Sequence, residues 1–350
     1  MQLLNGVLQH YAWGDLNAIA HLLGVEPDGN PQAELWFGTN QGGPSSLADG
    51  RTLQSVVGPL PYLVKILAAS NPLSLQVHPS SEQAATGYAR ENALGIALDS
   101  PHRTYRDPFH KPELLCALTP FEAFCGIAPD GPTDKLLGEL GPAANSLRAE
   151  LASGGVGAVI AKLLHEQPAL APLLDAAAHH EDPRCRWLTK LSQLHPGDAS
   201  AAIVLVLNYV ALEPGQAIFL AAGNLHAYLG GSAVEVMANS DNVVRCGLTH
   251  KNVDVDEVLR VLDTTPLLEP VVRPTPTVDG GLRYPVPTSD FRFTIYEIDG
   301  SVRFQANGPE LLLCTRGETV GMRRGNCAFA ADGEYVELVG TATVCRVGRG

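Results

Sequence analysis

The chain has 350 residues, of which 45% are hydrophobic and 17% are charged, a composition that excludes disordered and fibrous proteins. A chain of this length is expected to form about two domains. Its 24 Lys and Arg against 37 Asp and Glu give a net charge of −13, which disfavours sequence-independent binding to nucleic acid or to an anionic membrane. If the substrate is an anion, the positive charge that binds it must be local.

The cysteine pattern indicates a reducing compartment. The seven cysteines are an odd number and never form a CxxC pair, which favours free thiols over a secreted disulfide framework. The N-terminus lacks the pattern of a signal peptide, and the most apolar stretch, Ala201–Leu212, is too short to span a membrane. We therefore expect a cytoplasmic protein with no membrane segment. The sequence does not fix the oligomeric state, and a monomer is the simplest expectation.

Residues 1–195 divide into a strand-rich part and a helical part. Residues 1–127 are interrupted by Gly, Pro and Asn and contain short apolar runs, such as Tyr62–Leu67, that predict strands. One helix is predicted around Ser80–Leu98, directly after Pro79. Residues 128–195 are rich in Ala, Leu, Glu and Lys, with apolar residues at helical spacing, and this pattern predicts a helical insert.

Strand-like patterns return after residue 196. Ala201–Leu207 predicts a strand, Val253–Leu262 a short helix, and the proline-rich Thr264–Pro287 a linker. Many short strands with one helical insert favour a mainly β fold of the cupin, jelly-roll type. We expect a catalytic domain formed by residues 1–127 and 196–263, an α-helical insert at 128–195, and a second, cupin-like β domain at 264–350.

Polar residues alternate along the first segment of chemical interest. On a strand, Ser74, Gln76 and His78 would share one face, while Leu75 and Val77 would point the other way. Three polar groups on one face are costly in a sealed core but suit a wet or metal-containing cavity. The alternative is an exposed strand with one ordinary histidine.

A second segment, Tyr105–Glu113, concentrates ionisable groups between two prolines that hold it extended. Alternation places Lys111 and Glu113 on one face, and Lys111 is one of only six lysines in the chain. Taken alone, this segment could equally be a solvated loop.

The third segment, His226–Lys251, adds a second histidine. Two His, one Gln and one Glu suit a mononuclear site with nitrogen and oxygen ligands, and the absence of paired Cys disfavours a structural zinc site. Such a set carries one negative charge, so a bound divalent ion would keep about one positive charge. A residual charge of this kind suits a Lewis acid that polarises a sugar carbonyl or hydroxyl.

These segments resemble type I mannose-6-phosphate isomerase, a zinc-dependent cupin family. The family pattern YxDxNHKPE is matched at Tyr105–Glu113, with Phe109 in place of the usual Asn. The longer pattern HAYLxGxxxExMAxSDNVxRxGLTxK is matched at His226–Lys251, with Cys246 in place of Ala and His250 in place of Pro. Tyr11–Gly14 and Ala33–Thr39 also resemble the start of the family.

The resemblance implies reversible aldose–ketose isomerisation of mannose 6-phosphate and fructose 6-phosphate through a cis-enediol. It implies one zinc ion per chain, held by Gln76, His78, Glu113 and His226. It also implies a catalytic arginine, Arg245, whose guanidinium stays charged beside the developing enediolate. The implied substrate pocket comprises Ser74, Lys65, Lys111, Glu235 and Lys251. Either Lys111 or Glu235 could be the base.

The phosphate of the substrate needs a local cation. We predict that Ser74 and Lys65 hold it if their two strands pair, with Lys251 as the next candidate. Simpler roles are open at three positions: Arg245 could pair with Asp241, Glu235 could be a surface carboxylate, and Lys251 could cap a helix. The competing functions are another metal-dependent cupin, such as an iron dioxygenase, and a non-catalytic sugar-binding cupin.

Overall fold

The structure is a computed structural model that describes every residue from Met1 to Gly350. Its strands, in chain order, are β1 Gln2–Asn5, β2 Val7–Gln9, β3 Glu34–Gly38, β4 Ser46–Leu47, β5 Tyr62–Ala69, β6 Leu75–Val77, β7 Glu113–Ala117, β8 Phe121–Ile127, β9 Leu207–Leu212, β10 Ala217–Leu220, β11 His226–Ala238, β12 Val244–Gly247, β13 Val271–Val272, β14 Thr275–Pro276, β15 Leu282–Tyr284, β16 Arg292–Gln305, β17 Glu310–Thr319, β18 Met322–Arg323, β19 Cys327–Ala330 and β20 Tyr335–Gly348. The α-helices are α1 Ala18–Leu23, α2 Leu53–Val57, α3 Ser81–Ala93, α4 Asp130–Glu139, α5 Asn145–Glu166, α6 Ala171–Ala177, α7 Pro183–Leu194 and α8 Val255–Val261. Two 3-10 helices span Gly141–Ala144 and Ala199–Val206.

The strands form two antiparallel sheets, which confirms the prediction of a mainly β fold. The first sheet runs β13-β10-β7-β11-β5-β3-β2, and β6, β8, β9 and β12 extend it beside the first half of β11. The second runs β14-β15-β16-β20-β17-β19-β1-β4, with β18 beside β17. Because β1 and β4 lie in the second sheet, residues 1–127 contribute strands to both sheets.

Strand β11 changes partners at its middle. Its first half pairs with β8, up to Gly230 opposite Glu122, while its second half, from Gly231 opposite Ala69, pairs with β5 and β7. Gly231 has φ 118°, and a Cβ there would lie 2.6 Å from the carbonyl oxygen of Pro120. Glycine is therefore required where the strand bends.

The helices predicted from spacing are present. Four of them, α4–α7, lie within residues 130–194, and α3 begins at a capping box formed by Ser80 and Gln83. None of the helices combines the length and the apolar character that crossing a bilayer requires. The largest hydrophobic cluster joins the helices of residues 130–194 to β6, β12 and the first half of β11. The division of the chain into domains stays a prediction.

The strand prediction for Ala201–Leu207 is wrong, because Ala199–Val206 is a 3-10 helix and β9 begins only at Leu207. The Asp198 carboxylate accepts a hydrogen bond from the Ser200 backbone N–H at 2.9 Å, which starts the helix. Every residue of the helix is buried. A fully buried apolar run has no polar side, so its sequence pattern does not separate helix from strand.

The proline-rich segment Thr264–Pro287 contains three short strands. Strand β13 pairs with β10 of the first sheet, whereas β14 and β15 belong to the second. The segment therefore connects the two sheets, and its paired strands make it more ordered than the linker predicted for it. A hydrophobic cluster between the sheets, with Ile66 and Val234 on one side and Phe293 and Val347 on the other, holds them together.

Candidate metal centre

Three buried side chains from three strands converge on one point. His78 follows β6 directly, Glu113 begins β7, and His226 begins β11. The His78 Nε2 lies 3.3 Å from Glu113 Oε1, and the His226 Nε2 lies 3.8 Å from Glu113 Oε2. One ligand atom from each residue lies within 4.8 Å of the others, which is the spacing of a set that can bind a single metal ion.

Both histidines direct an unprotonated nitrogen at this point. The His78 Nδ1 donates to the carbonyl of Asn242 at 2.9 Å, and the His226 Nδ1 donates to the carbonyl of Asn224 at 2.9 Å. A carbonyl can only accept, so each Nδ1 carries the proton and each Nε2 keeps its lone pair. Both Nε2 atoms are buried with no hydrogen-bond partner. A metal ion would satisfy both of these otherwise orphaned nitrogen atoms.

The charge states of these ligands also suit a metal. Burial lowers the pKa of His226 to about 3, and burial followed by Lys111 lowers the pKa of His78. Burial acts to raise the pKa of Glu113, but Lys111 and the two histidines outweigh it and hold that pKa well below its usual range. The site therefore presents two neutral imidazoles and one carboxylate at neutral pH.

The predicted fourth ligand lies beside them. Gln76, at the centre of β6, is opposite His226 of β11 on one side and Arg245 of β12 on the other. Its side chain lines a cavity of about 190 Å³ that Glu113 also lines. The ionisable residues of this cavity, apart from two tyrosines, are Glu34, Lys65, Lys111, Glu113, Glu235 and Asp241. Four carboxylates against two lysines give a formal charge of −2, which a divalent cation would neutralise.

A buried network of charges forms one wall of the cavity. The Lys65 Nζ lies 2.9 Å from Glu235 Oε2 and 3.5 Å from Glu34 Oε1. Burial acts to lower the pKa of Lys65, but these two carboxylates raise it by more, so Lys65 stays charged. The Tyr228 hydroxyl donates to Glu235 Oε1 at 2.9 Å and lies 3.2 Å from Glu113 Oε2. Glu235 is thus a buried group of the cavity wall and not a surface carboxylate.

The expected pairing of the Lys65 and Ser74 strands is wrong. Strand β5, which carries Lys65, pairs with β3 and β11, whereas β6, which Ser74 precedes, pairs with β11 and β12. Neither strand carries a sequence signal that fixes which neighbour it will have. Lys65 is also engaged by two carboxylates, so little of its charge is free for an anion.

Three other cations near the site have no carboxylate partner. Arg106, Arg245 and Lys251 are absent from the ion pairs of the structure, including any pair with Asp241. Burial and Arg106 lower the pKa of Arg245, and burial, Arg245 and Arg106 lower the pKa of Lys251. A charge that lowers the pKa of a like-charged side chain lies near it, and a cluster of unpaired cations attracts an anion.

Several proteins of known activity are similar to this chain in sequence. A family model described as phosphomannose isomerase type I, catalytic domain, matches residues 1–130. The mannose-6-phosphate isomerase of Salmonella typhimurium is 35% identical over 99% of this chain and 99% of that protein. The chain belongs to the type I phosphomannose isomerase family. The Homo sapiens mannose-6-phosphate isomerase is 29% identical over 96% of this chain and 94% of that protein.

Solved structures of phosphomannose isomerases have the same fold. The apo form from Salmonella typhimurium matches with a TM-score of 0.92 and 33% identity over 100% of this chain and 99% of that one. A zinc-bound mannose 6-phosphate isomerase matches with a TM-score of 0.92 and 33% identity over 99% of each chain. These matches confirm the predicted cupin-type fold.

The three departures from the family pattern have different surroundings. Phe109 is 58% exposed, and only its backbone is held: its carbonyl accepts from Ser240 and Asn242, and its N–H donates to Asp107. Cys246 is fully buried beside Arg245, and burial raises the pKa of its thiol to about 12, so it is an inert apolar residue. The His250 ring lies 6.1 Å from that of His195.

Sequence reasoning missed three residues of the site: Glu34, Tyr228 and Arg106. Glu34 shares the face of β3 with Trp36, whose indole N–H donates to it at 2.7 Å. The signal was present, because a glutamate in an otherwise apolar strand needs a buried cation. Tyr228 and Arg106 lie inside the two long motifs but have no pattern of their own.

Proposed function

We propose that this protein is a zinc-dependent isomerase that interconverts mannose 6-phosphate and fructose 6-phosphate. The observation that carries the proposal is the pair of buried, unpartnered Nε2 atoms beside Glu113. The family to which the chain belongs, and the names of its relatives, supply the substrate.

Gln76, His78, Glu113 and His226 would hold the zinc ion. When bound, zinc supplies a Lewis acid that stabilises negative charge on the sugar oxygens. The carbonyls that fix the tautomers of both histidines keep this ligand set preorganised. Glu113 supplies its only anionic ligand.

Isomerisation moves one proton between C1 and C2 of the open sugar through a cis-enediol. We assign this transfer to Lys111 and Glu235, which line the same cavity as Gln76. Burial raises the pKa of Glu235 despite its contact with Lys65, which brings this carboxyl closer to the pH at which it can take and return a proton. Arg245, opposite Gln76, faces the charge that develops on the enediolate.

We place the phosphate at Lys251 and Arg106, not at Lys65. The cavity carries −2 without the metal and would be neutral with a divalent ion bound, so it offers no net positive charge to a dianionic phosphate. The unpaired cations supply the local positive charge that the sequence requires. Ser74, half-buried next to β6, stays a candidate for a hydrogen bond to the substrate.

We further propose that the protein works in the reducing cytoplasm. All seven cysteines are free and buried, and none is positioned in a disulfide. A single chain contains every residue that we assign to the binding of the phosphorylated sugar.

A coupled assay that detects fructose 6-phosphate formed from mannose 6-phosphate tests the proposal. We expect turnover with mannose 6-phosphate and little with unphosphorylated mannose. A protein that binds zinc but turns over neither sugar would favour a non-catalytic sugar-binding cupin. Oxygen consumption in place of isomerisation would favour a metal-dependent oxygenase.

A further inference from the structure

The chain between Arg245 and Lys251 has an unusual conformation at its midpoint. Leu248 lies three residues from each of these cations and has φ 54°, in the left-handed region that non-glycine residues seldom adopt. Its backbone N–H donates to Asp198 Oδ2 at 2.9 Å and to Ser200 Oγ at 3.1 Å. Strained backbone of this kind persists only where the surroundings hold it in place.

The neighbouring Gly247 brings the same two segments into close contact. A Cβ at Gly247 would lie 2.0 Å from the Ser200 Oγ, so only glycine allows Ser200 to reach the chain at this point. The other oxygen of the Asp198 carboxylate accepts the Ser200 backbone N–H at 2.9 Å. Asp198 and Ser200 thus form one unit, and both reach the Leu248 N–H.

This unit is anchored in the core. Asp198 begins the 3-10 helix Ala199–Val206, whose eight residues are all buried in the largest hydrophobic cluster or beside it. A hydrogen bond from such a helix holds the segment that it contacts more firmly than a bond from a loop would.

Arg245 and Lys251 need an external support of this kind. They carry the same charge and have no carboxylate partner, and Arg245 lowers the pKa of Lys251, so their repulsion acts to separate them. If Leu248 changed from the left-handed to an ordinary conformation, the chain that carries Arg245 and the chain that carries Lys251 would change direction relative to each other. The two cations would then no longer face one bound substrate together.

We propose that Asp198 and Ser200 are positioning residues for the isomerase reaction: by holding Leu248 in its left-handed conformation they fix Arg245 and Lys251 relative to one another. The proposal rests on the function proposed above, which assigns these two cations to the charges of the substrate. Neither Asp198 nor Ser200 needs to contact the sugar or the metal.

The variants D198N and S200A test it. An asparagine can accept only one of the two N–H groups that the aspartate accepts, and S200A removes one acceptor of Leu248. Misplacing a catalytic group by about 1 Å costs up to about a hundredfold, so we expect kcat/KM for mannose 6-phosphate to fall about ten- to a hundredfold in D198N and less in S200A. Zinc content should not change, because no metal ligand is touched.

The matched control is D182N. Asp182 also begins a helix and accepts the Arg184 backbone N–H at 2.8 Å, but it lies at the start of α7, far along the chain from either cation. It should lose a similar amount of stability and keep the kcat/KM of the parent protein. Equal losses of kcat/KM in D182N and D198N would overturn the proposal, because the effect would then come from stability alone.

Inorganic phosphate, used as a competitive inhibitor, separates positioning from general damage. We expect D198N and K251A each to raise its inhibition constant, and the double variant to match K251A, because the phosphate site without Lys251 no longer contains a cation that Leu248 positions. Additive effects, or an unchanged kcat/KM in D198N, would overturn the proposal. If K251A alone leaves the inhibition constant unchanged, the phosphate assignment is wrong. In that case kcat of D198N is the remaining test, and an unaltered kcat would refute the positioning role.

Discussion

At the scale of single residues, the metal centre depends on which nitrogen of each histidine carries the proton. The carbonyls of Asn242 and Asn224 settle this for His78 and His226, because they can only accept. Burial then keeps both rings neutral, so their lone pairs are available at neutral pH. The same burial makes the zinc-free protein sensitive to acid.

The zinc-free protein should lose stability as the pH falls below about 6.5. Both histidines have a folded-state pKa below their ordinary value, about 3 for His226, so the unfolded chain binds protons first and the folded state is disfavoured. His226 should cost up to about 1.4 kcal/mol per pH unit in this range, and His78 should act in the same direction. Glu113 acts in the same direction below its ordinary pKa of 4.5, because its folded-state pKa is lowered as well.

Urea unfolding of the zinc-free protein at pH 7 and pH 5 measures this effect. H226N should make the free energy of unfolding less dependent on pH. The control H102N, at an exposed histidine, should leave this pH dependence unchanged. The same pH dependence in H226N as in the parent protein would show that the two rings are not buried neutral.

Replacing Arg245 by lysine should keep the fold and the zinc but slow turnover. Lysine cannot reproduce the planar guanidinium, and loss of a preorganised donor to a developing oxyanion costs about 10²–10³ in kcat. Steady-state kinetics together with metal analysis check this. Normal turnover in R245K would mean that Arg245 has only a structural role.

At the scale of elements, one bent strand brings much of the site together. Strand β11 places His226 at its start and Glu235 beyond its bend, opposite Lys65 of β5. The bend occurs at Gly231, where the strand changes neighbours.

Gly231 should therefore be far less tolerant than its neighbour. G231A introduces a Cβ 2.6 Å from the Pro120 carbonyl oxygen at φ 118° and should reduce the free energy of unfolding by about 2–3 kcal/mol. G230A, where the nearest atom is 3.7 Å away, should be nearly neutral. Chemical denaturation of both variants decides the matter, and equal stabilities would argue against a bend fixed by glycine.

The sequence predicts the elements unevenly, for physical reasons. Alternation predicts the strand of Gln76, because one-sided burial leaves a periodic pattern, whereas the set of metal ligands follows only from the resemblance to the family. The buried 3-10 helix Ala199–Val206 has no such pattern, so its apolar sequence wrongly predicts a strand. Strand neighbours depend on long-range packing, which explains why the predicted contact between the Lys65 and Ser74 strands fails.

At the scale of the whole molecule, the distribution of charge matters more than its total. The chain carries −13, and the cavity itself carries −2 before a metal binds. Arg106, Arg245 and Lys251 form the cationic region through which we expect the phosphate to be recognised. The negative remainder of the surface repels anions, which makes this local region selective.

Lys251 should account for much of the preference for phosphorylated sugar. Loss of a charge-assisted hydrogen bond costs about 1.5–3 kcal/mol, so K251A should raise the KM for mannose 6-phosphate about ten- to a hundredfold with zinc retained. K135A removes an equal charge from an exposed helix position, 77% exposed, and should have no effect. Kinetics on mannose and mannose 6-phosphate provide the comparison, and equal KM values in K251A and K135A would place the phosphate elsewhere.

The most direct test of the account is a zinc titration of isomerase activity. The protein is stripped with a chelator, zinc is added back in known amounts, and turnover of mannose 6-phosphate is followed in parallel with bound zinc. We predict that activity is lost with the metal, returns linearly and saturates at one zinc per chain, whereas E113A, without the only anionic ligand, neither binds zinc at these concentrations nor recovers activity. Full turnover by the zinc-free protein, or stoichiometric zinc in E113A, would contradict the account.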